Sequence, residues 1–126
     1  MTTLLIGEKL PLLDRDYADL RDVDLSNLDL RGISFRGANL TGANLSSSNL
    51  TGVDLRGAHL RFTNLRNANL TDANLTGAVL SNADLTNTIL IRTQFDGPIE
   101  DTSKEEYTVI FGRDYLTRAG SIRFPK

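Results

Sequence analysis

The sequence predicts an all-β fold of the solenoid class, and three observations carry that prediction. Leucine or phenylalanine recurs at every fifth residue from Leu20 to Phe95, through sixteen consecutive pentapeptides. A five-residue step fits neither a helical stripe, which needs steps of three, four or seven, nor a straight strand, on which residues five apart face opposite sides. Gly, Asn, Asp and Ser dominate the position two residues after the Leu or Phe, where a chain bending once per repeat needs residues that tolerate positive φ.

With the Leu/Phe position called i, each remaining column has its own chemistry. Position i−2 is mostly small or β-branched, with Ala at 18, 38, 43, 58, 68, 73, 78 and 83 and Val at 23 and 53, so it points inward beside position i with less room. Position i−1 is dominated by Asp and Asn, and i+1 by Ser, Thr and Arg, so these columns face water. A short extended piece from i−2 to i puts both apolar positions on one side, and the next two residues turn the chain. Repeated bends in one sense coil the chain, and stacked coils pair their backbones at about 4.8 Å in a parallel β-solenoid. Gly37, Gly57, Gly77 and Gly97 recur at twenty residues, as residues sharing one corner of successive four-sided coils would.

A solenoid exposes an apolar cross-section and unpaired strand edges at each end, so its terminal segments serve as caps. Residues 1–15 form the expected N-terminal cap, with Leu4, Leu5, Ile6, Leu10, Leu12 and Leu13 as apolar cover; residues 16–97 form the shaft. Pro98, which cannot donate to a ladder, stops the repeat, and residues 98–126 form a C-terminal cap or dimerisation segment. Ser103-Lys-Glu-Glu106 matches a capping box, and Tyr107, Ile110, Phe111 and Tyr115 fall near one helical face, so a helical cap is expected. Thr108-Val-Ile-Phe111 has the opposing propensity, for a strand. Val79, Ile89 and Ile91 place apolar side chains in outward columns of the last coil. They are candidate docking or assembly residues for the tail, together with Tyr107, Ile110, Phe111 and Tyr115, in an intramolecular cap or a tail-mediated homodimer.

Ala38-Asn39-Leu40-Thr41-Gly42, Ala73-Asn74-Leu75-Thr76-Gly77 and their neighbours resemble the pentapeptide-repeat family, whose consensus is A-(D/N)-L-x-x. The resemblance implies a right-handed quadrilateral parallel β-helix with four pentapeptides per coil, and hence four coils for this chain. At about 4.8 Å per coil the shaft would be roughly 20 Å long.

Composition excludes several roles. The formal charge of −2 arises from 16 acidic and 14 basic residues, and the scattered arginines make no concentrated basic patch, so nucleic-acid binding is not expected. Cysteine is absent, which removes disulfides and thiolate metal sites. No apolar run approaches membrane-spanning length, and the first residues lack signal-peptide features, so a cytoplasmic protein without membrane contact is expected. The single histidine, His59, sits in an outward column between Asn39 and Val79 with no acid partner evident, and Ser46-Ser47-Ser48 resembles no nucleophile elbow. No catalytic residue, cofactor or metal is expected; Asp19, Asp22 and Asp24 bunch together without a calcium-loop pattern and read as solvated or capping carboxylates. Asn44 with Asn64, and Asn49 with Asn69, share columns in which stacked amides would bond between coils.

The best surface candidate for recognition is Arg36, Arg56, Arg61, Phe62 and Arg66, because arginine beside an exposed aromatic is enriched at binding hot spots. The function expected is a non-catalytic structural or protein-interaction module with a protein partner. The family resemblance supplies an alternative, a DNA-mimicking topoisomerase (gyrase) binder that confers quinolone protection. Such a mimic should present rows of carboxylates, whereas residues 16–95 carry eight Asp against seven Arg.

Overall fold

The computed structural model describes residues 14–95, together with the backbone of three short strands beyond them, Ile99–Glu100, Val109–Ile110 and Ile122–Arg123. Through the shaft each i−1 residue forms a parallel bridge with the residue twenty positions on. Four files result: Asp14, Ser34, Asp54, Asn74 and Gln94; Asp19, Asn39, His59 and Val79; Asp24, Asn44, Asn64 and Asp84; Asp29, Asn49, Asn69 and Ile89. This is the register of a parallel coil with four pentapeptides per turn, and it puts Gly37, Gly57 and Gly77 at one corner.

The backbone bonds follow from that register. In the second repeat file Asn39 N–H donates to Ala18 carbonyl at 2.9 Å, Leu40 N–H to His59 carbonyl at 2.8 Å and Gly42 N–H to Arg61 carbonyl at 2.9 Å. Each corner is then closed locally, as when Ala43 N–H donates to Leu40 carbonyl at 2.9 Å. Such a turn needs a positive φ at its third residue when it takes the type II form. Every i+2 residue from Tyr17 to Arg92 has positive φ, including three bulky side chains ill suited to it, Tyr17, Phe62 and Arg92.

Inside, the Leu column from Leu25 to Leu75 and Phe35 in the same column are buried, and Ala38, Ala43, Ala58, Ala68 and Ala73 fill the narrower i−2 column. Four i−2 positions are polar yet buried: Ser48, Thr63, Thr88 and Thr93. A buried hydroxyl is costly without a partner. Thr63, Thr88 and Thr93 donate to the carbonyls of Leu40, Leu65 and Leu70 at 2.9, 2.8 and 2.8 Å, each from the preceding coil, while Ser48 donates to Leu45 in its own corner at 2.6 Å.

β1 (Thr88–Ile89) lies in the last regular repeats, and beyond them come β2 (Ile99–Glu100), β3 (Val109–Ile110) and β4 (Ile122–Arg123). β1 pairs in parallel with β3, placing Thr88 opposite Val109 and Ile89 opposite Ile110, and β2 pairs in parallel with β4. The expected helix is therefore wrong at Val109–Ile110, which is strand. The β-branched pair follows its own propensity and meets the open edge of the last rung, where a ladder partner satisfies backbone groups that a coil end leaves unpaired. The N-terminal apolar residues 4–13 and the expected tail contacts of Tyr107, Phe111 and Tyr115 lie outside the described residues.

Candidate interaction surfaces

The outward side chains of the shaft are organised within their own repeats. An Asx residue at i−1 accepts the backbone N–H two residues on, and a Ser or Thr there adds its hydroxyl to the same oxygen. Asn49 Oδ1 accepts Thr51 N–H at 3.1 Å and Thr51 Oγ1–H at 2.6 Å, and Asn44 with Ser46, Asn69 with Thr71 and Asn74 with Thr76 repeat the arrangement. Asn44 and Asn64, and Asn49 and Asn69, do share files, but their amide oxygens bind inside the repeat and not between coils as expected.

Where i−1 is Asp and i+1 is Arg, the same geometry yields a bidentate ion pair. Arg21 grips Asp19, Arg31 grips Asp29 and Arg56 grips Asp54, each with Nε and Nη2 donating to the two carboxylate oxygens at 2.7–2.9 Å. Other arginines reach between coils: Arg36 to Asp16, Arg66 to Asp84 and Arg92 to Asp72. The Ser34 hydroxyl, followed by the Arg36 side chain and N–H, outweighs burial and holds the Asp16 carboxyl at about 2, well below its ordinary 3.8. Arg21 holds Asp19 at about 2 through its side chain and backbone N–H. Arg56 lowers Asp54 in the same way.

These pairings divide the predicted recognition patch. Arg56, Arg61 and Arg66 occupy three successive corners of one coil, with Arg36 stacked below Arg56. Arg36, Arg56 and Arg66 each bind a carboxylate. Of the six i+1 arginines, only Arg61 has no ion pair among the described residues. Phe62 follows it, 63% exposed at φ 57°, and His59 stands two residues before it on the surface. The bridges confirm Asn39 and Val79 as neighbours of His59 in its file, and Val79 is half-buried.

Composition alone hid this division. The signal that finds it is the Asp-x-Arg spacing of Asp19/Arg21, Asp29/Arg31 and Asp54/Arg56 taken together with the twenty-residue register, which brings Asp16 to Arg36 and Asp84 to Arg66; His59-Leu-Arg61 has neither. Of the three acidic residues bunched near the first coil, Asp19 binds Arg21 and Asp24 accepts from Ser26 N–H and hydroxyl. In the assembly set, Ile89 lies in register between Asn69 and Ile110, while Ile91 is half-buried and its carbonyl accepts Asp72 N–H.

A parallel coil of twenty-residue turns whose surface is built from Asx-capped corners defines a β-helical repeat protein. The chain belongs to the pentapeptide-repeat family: the family model "Pentapeptide repeats (8 copies)" matches residues 18–57 and 54–92. Among solved structures, the chain is similar to a pentapeptide repeat protein from the Arabidopsis thaliana thylakoid lumen (26% identity, TM-score 0.57, 72% of this chain and 67% of that one). It is similar also to the pentapeptide repeat protein Rfr23 of the cyanobacterium Cyanothece 51142 (31% identity, TM-score 0.59, 79% of this chain and 63% of that one). A third is from Nostoc PCC 7120 (25% identity, TM-score 0.54, 90% of this chain and 86% of that one). The chain thus spans less than two thirds of the length of Rfr23. No curated protein matches it. Among the described residues no helix is long and apolar enough to cross a membrane.

Proposed function

We propose that the chain is a non-catalytic interaction module, a four-sided shaft that presents a few side chains to a protein partner. The observation that supports this reading is the internal use of the outward columns. Asx oxygens bind their own corners and the arginines bind Asp, which leaves His59, Arg61 and Phe62 as a group that the pattern does not absorb. Family membership agrees with a structural module, and the cytoplasm expected from the sequence is part of the proposal beside a relative from the thylakoid lumen.

Nothing in the geometry favours the DNA-mimic alternative. Asp16, Asp19, Asp29, Asp54, Asp72 and Asp84 are all ion-paired with arginine, so the shaft does not present free carboxylate rows. An affinity pull-down from native cell extract tests the module reading. A protein retained stoichiometrically by the immobilised chain and displaced by the free chain is expected; retention of nothing beyond blank resin would overturn it.

A further inference from the structure

Everywhere else in the i+1 column, an arginine finds its carboxylate at one of three places: its own i−1 residue, the i+1 residue one coil below, or the i−1 residue one coil above. Arg21, Arg31 and Arg56 use the first, Arg36 the second through Asp16, and Arg66 the third through Asp84. Around Arg61 those places hold His59, Thr41 and Val79. The shaft thus supplies a guanidinium in a column built for bidentate ion pairs and withholds the acid at every site from which one reaches.

The next residue departs from pattern in a second, independent way. The i+2 corner demands positive φ, and the same file is filled by Asp22, Gly42 and Asn82, residues that accept it. Phe62 takes φ 57° with its ring in solvent, which costs both backbone energy and apolar exposure. Val79 adds a half-buried apolar side chain one rung above His59, at about 4.8 Å strand spacing.

We infer that His59, Arg61, Phe62 and Val79 form the docking surface for a protein segment that carries an Asp or Glu beside an apolar side chain. The partner's carboxylate takes the bidentate place that Asp19, Asp29 and Asp54 fill in their own repeats, and its apolar neighbour covers Phe62 and Val79. Charge complementarity selects this occupant: a desolvated carboxylate facing Arg61 gains two charge-assisted bonds, where a basic segment would meet a cation that has no ion pair among the described residues. The inference rests on the interaction-module reading and names the site and chemistry within it.

The test uses His59→Asp, which rebuilds the Asp-x-Arg pair and occupies Arg61 without removing it. A random dodecapeptide phage library is panned on the full chain, and synthetic versions of the enriched peptides are measured by fluorescence anisotropy. Asp- or Glu-containing peptides with an adjacent apolar residue are expected, with Kd rising about tenfold in H59D and in Arg61→Ala, one tenfold step corresponding to about 1.4 kcal/mol. Circular dichroism melts of H59D and R61A identical to or above wild type show that the fold persists. Should R61A melt lower, H59D alone carries the result. Binders without acidic residues, binders indifferent to H59D, no binders, or tight binding of a single-stranded oligonucleotide in their place would overturn the inference. The extract pull-down repeated with H59D separates the two readings: a partner retained by both proteins sinks this site and leaves the module standing, whereas a partner retained by neither sinks the module.

Discussion

The hydroxyl of Thr63 donates to the carbonyl of Leu40 at 2.9 Å, between stacked coils and inside the apolar core. The same carbonyl accepts Ala43 N–H at 2.9 Å, so one oxygen closes a corner and receives a bond from the coil above. Thr88 and Thr93 repeat the relationship with Leu65 and Leu70. Thr63→Val should therefore destabilise by about 1 kcal/mol, the net worth of one buried hydrogen bond, even though the replacement is apolar and similar in size. Urea denaturation read by circular dichroism checks it; a midpoint equal to wild type would show that the bond contributes nothing net.

Substitutions at the corners should change stability in opposite directions according to the resident residue. Phe62→Asn puts at φ 57° a residue that the shaft already uses at Asn27, Asn67, Asn82 and Asn87, and should stabilise by about 0.5–1 kcal/mol. Gly57→Ala meets no heavy atom within 4 Å but must hold φ +68°, and should cost about 1–2 kcal/mol through backbone strain alone. Thermal melts of the two variants test the pair, and a Phe62→Asn melt at or below wild type would count against strain at that corner.

Acid should weaken the shaft in a defined window. Asp16 and Asp19 are held at about 2 against an ordinary 3.8, and Asp24, Asp54, Asp72 and Asp84 are lowered too. A carboxyl whose folded value is depressed contributes stability that is fully present above its unfolded value and lost as pH falls through the folded one. The melting temperature should hold above about pH 5 and decline between about pH 4 and pH 2. Asp16→Asn should lower the melting temperature at pH 7 more than Asp19→Asn. The Asp16 side chain is 7% exposed and bonded to both Ser34 and Arg36, while that of Asp19 is 61% exposed and screened by salt.

The paired carboxylates make a prediction about topoisomerases. In a gyrase supercoiling assay with and without a quinolone, the purified chain should neither inhibit nor protect at micromolar concentration. Either effect would restore the DNA-mimic reading and displace the one proposed here.

Much of the fold was legible because the inward columns obey simple sterics. Leu at every fifth residue, with Ala or Val two before it, admits only a chain that bends once per repeat, and the recurrence of Gly37, Gly57 and Gly77 pointed to the twenty-residue turn that the bridge files display. Thr63, Thr88 and Thr93 were illegible as donors, since a β-branched residue at i−2 reads as filler until the carbonyl above or below it is located. The candidate site was half legible. Arg61 and Phe62 stood out by type, but Arg36, Arg56 and Arg66 looked equivalent to them, because ion pairing between coils depends on the side-chain neighbours in each file and not on composition. At Val109–Ile110 two local signals conflicted, and the partner offered by β1, a non-local fact, accompanies the strand.

The bridge register also makes the molecule a counting device. Duplicating any twenty consecutive residues within the shaft would return each later residue to its own file, lengthening the prism by about 4.8 Å with every corner intact. Inserting one pentapeptide after Gly42 would preserve the Leu rhythm just as well, yet rotate everything downstream by a quarter turn. Asn44 would stand over Asp29 in place of Asp24, and His59 over a residue of the inserted repeat in place of Asn39. Growth in steps of five keeps a core; only growth in steps of twenty keeps an address on the surface.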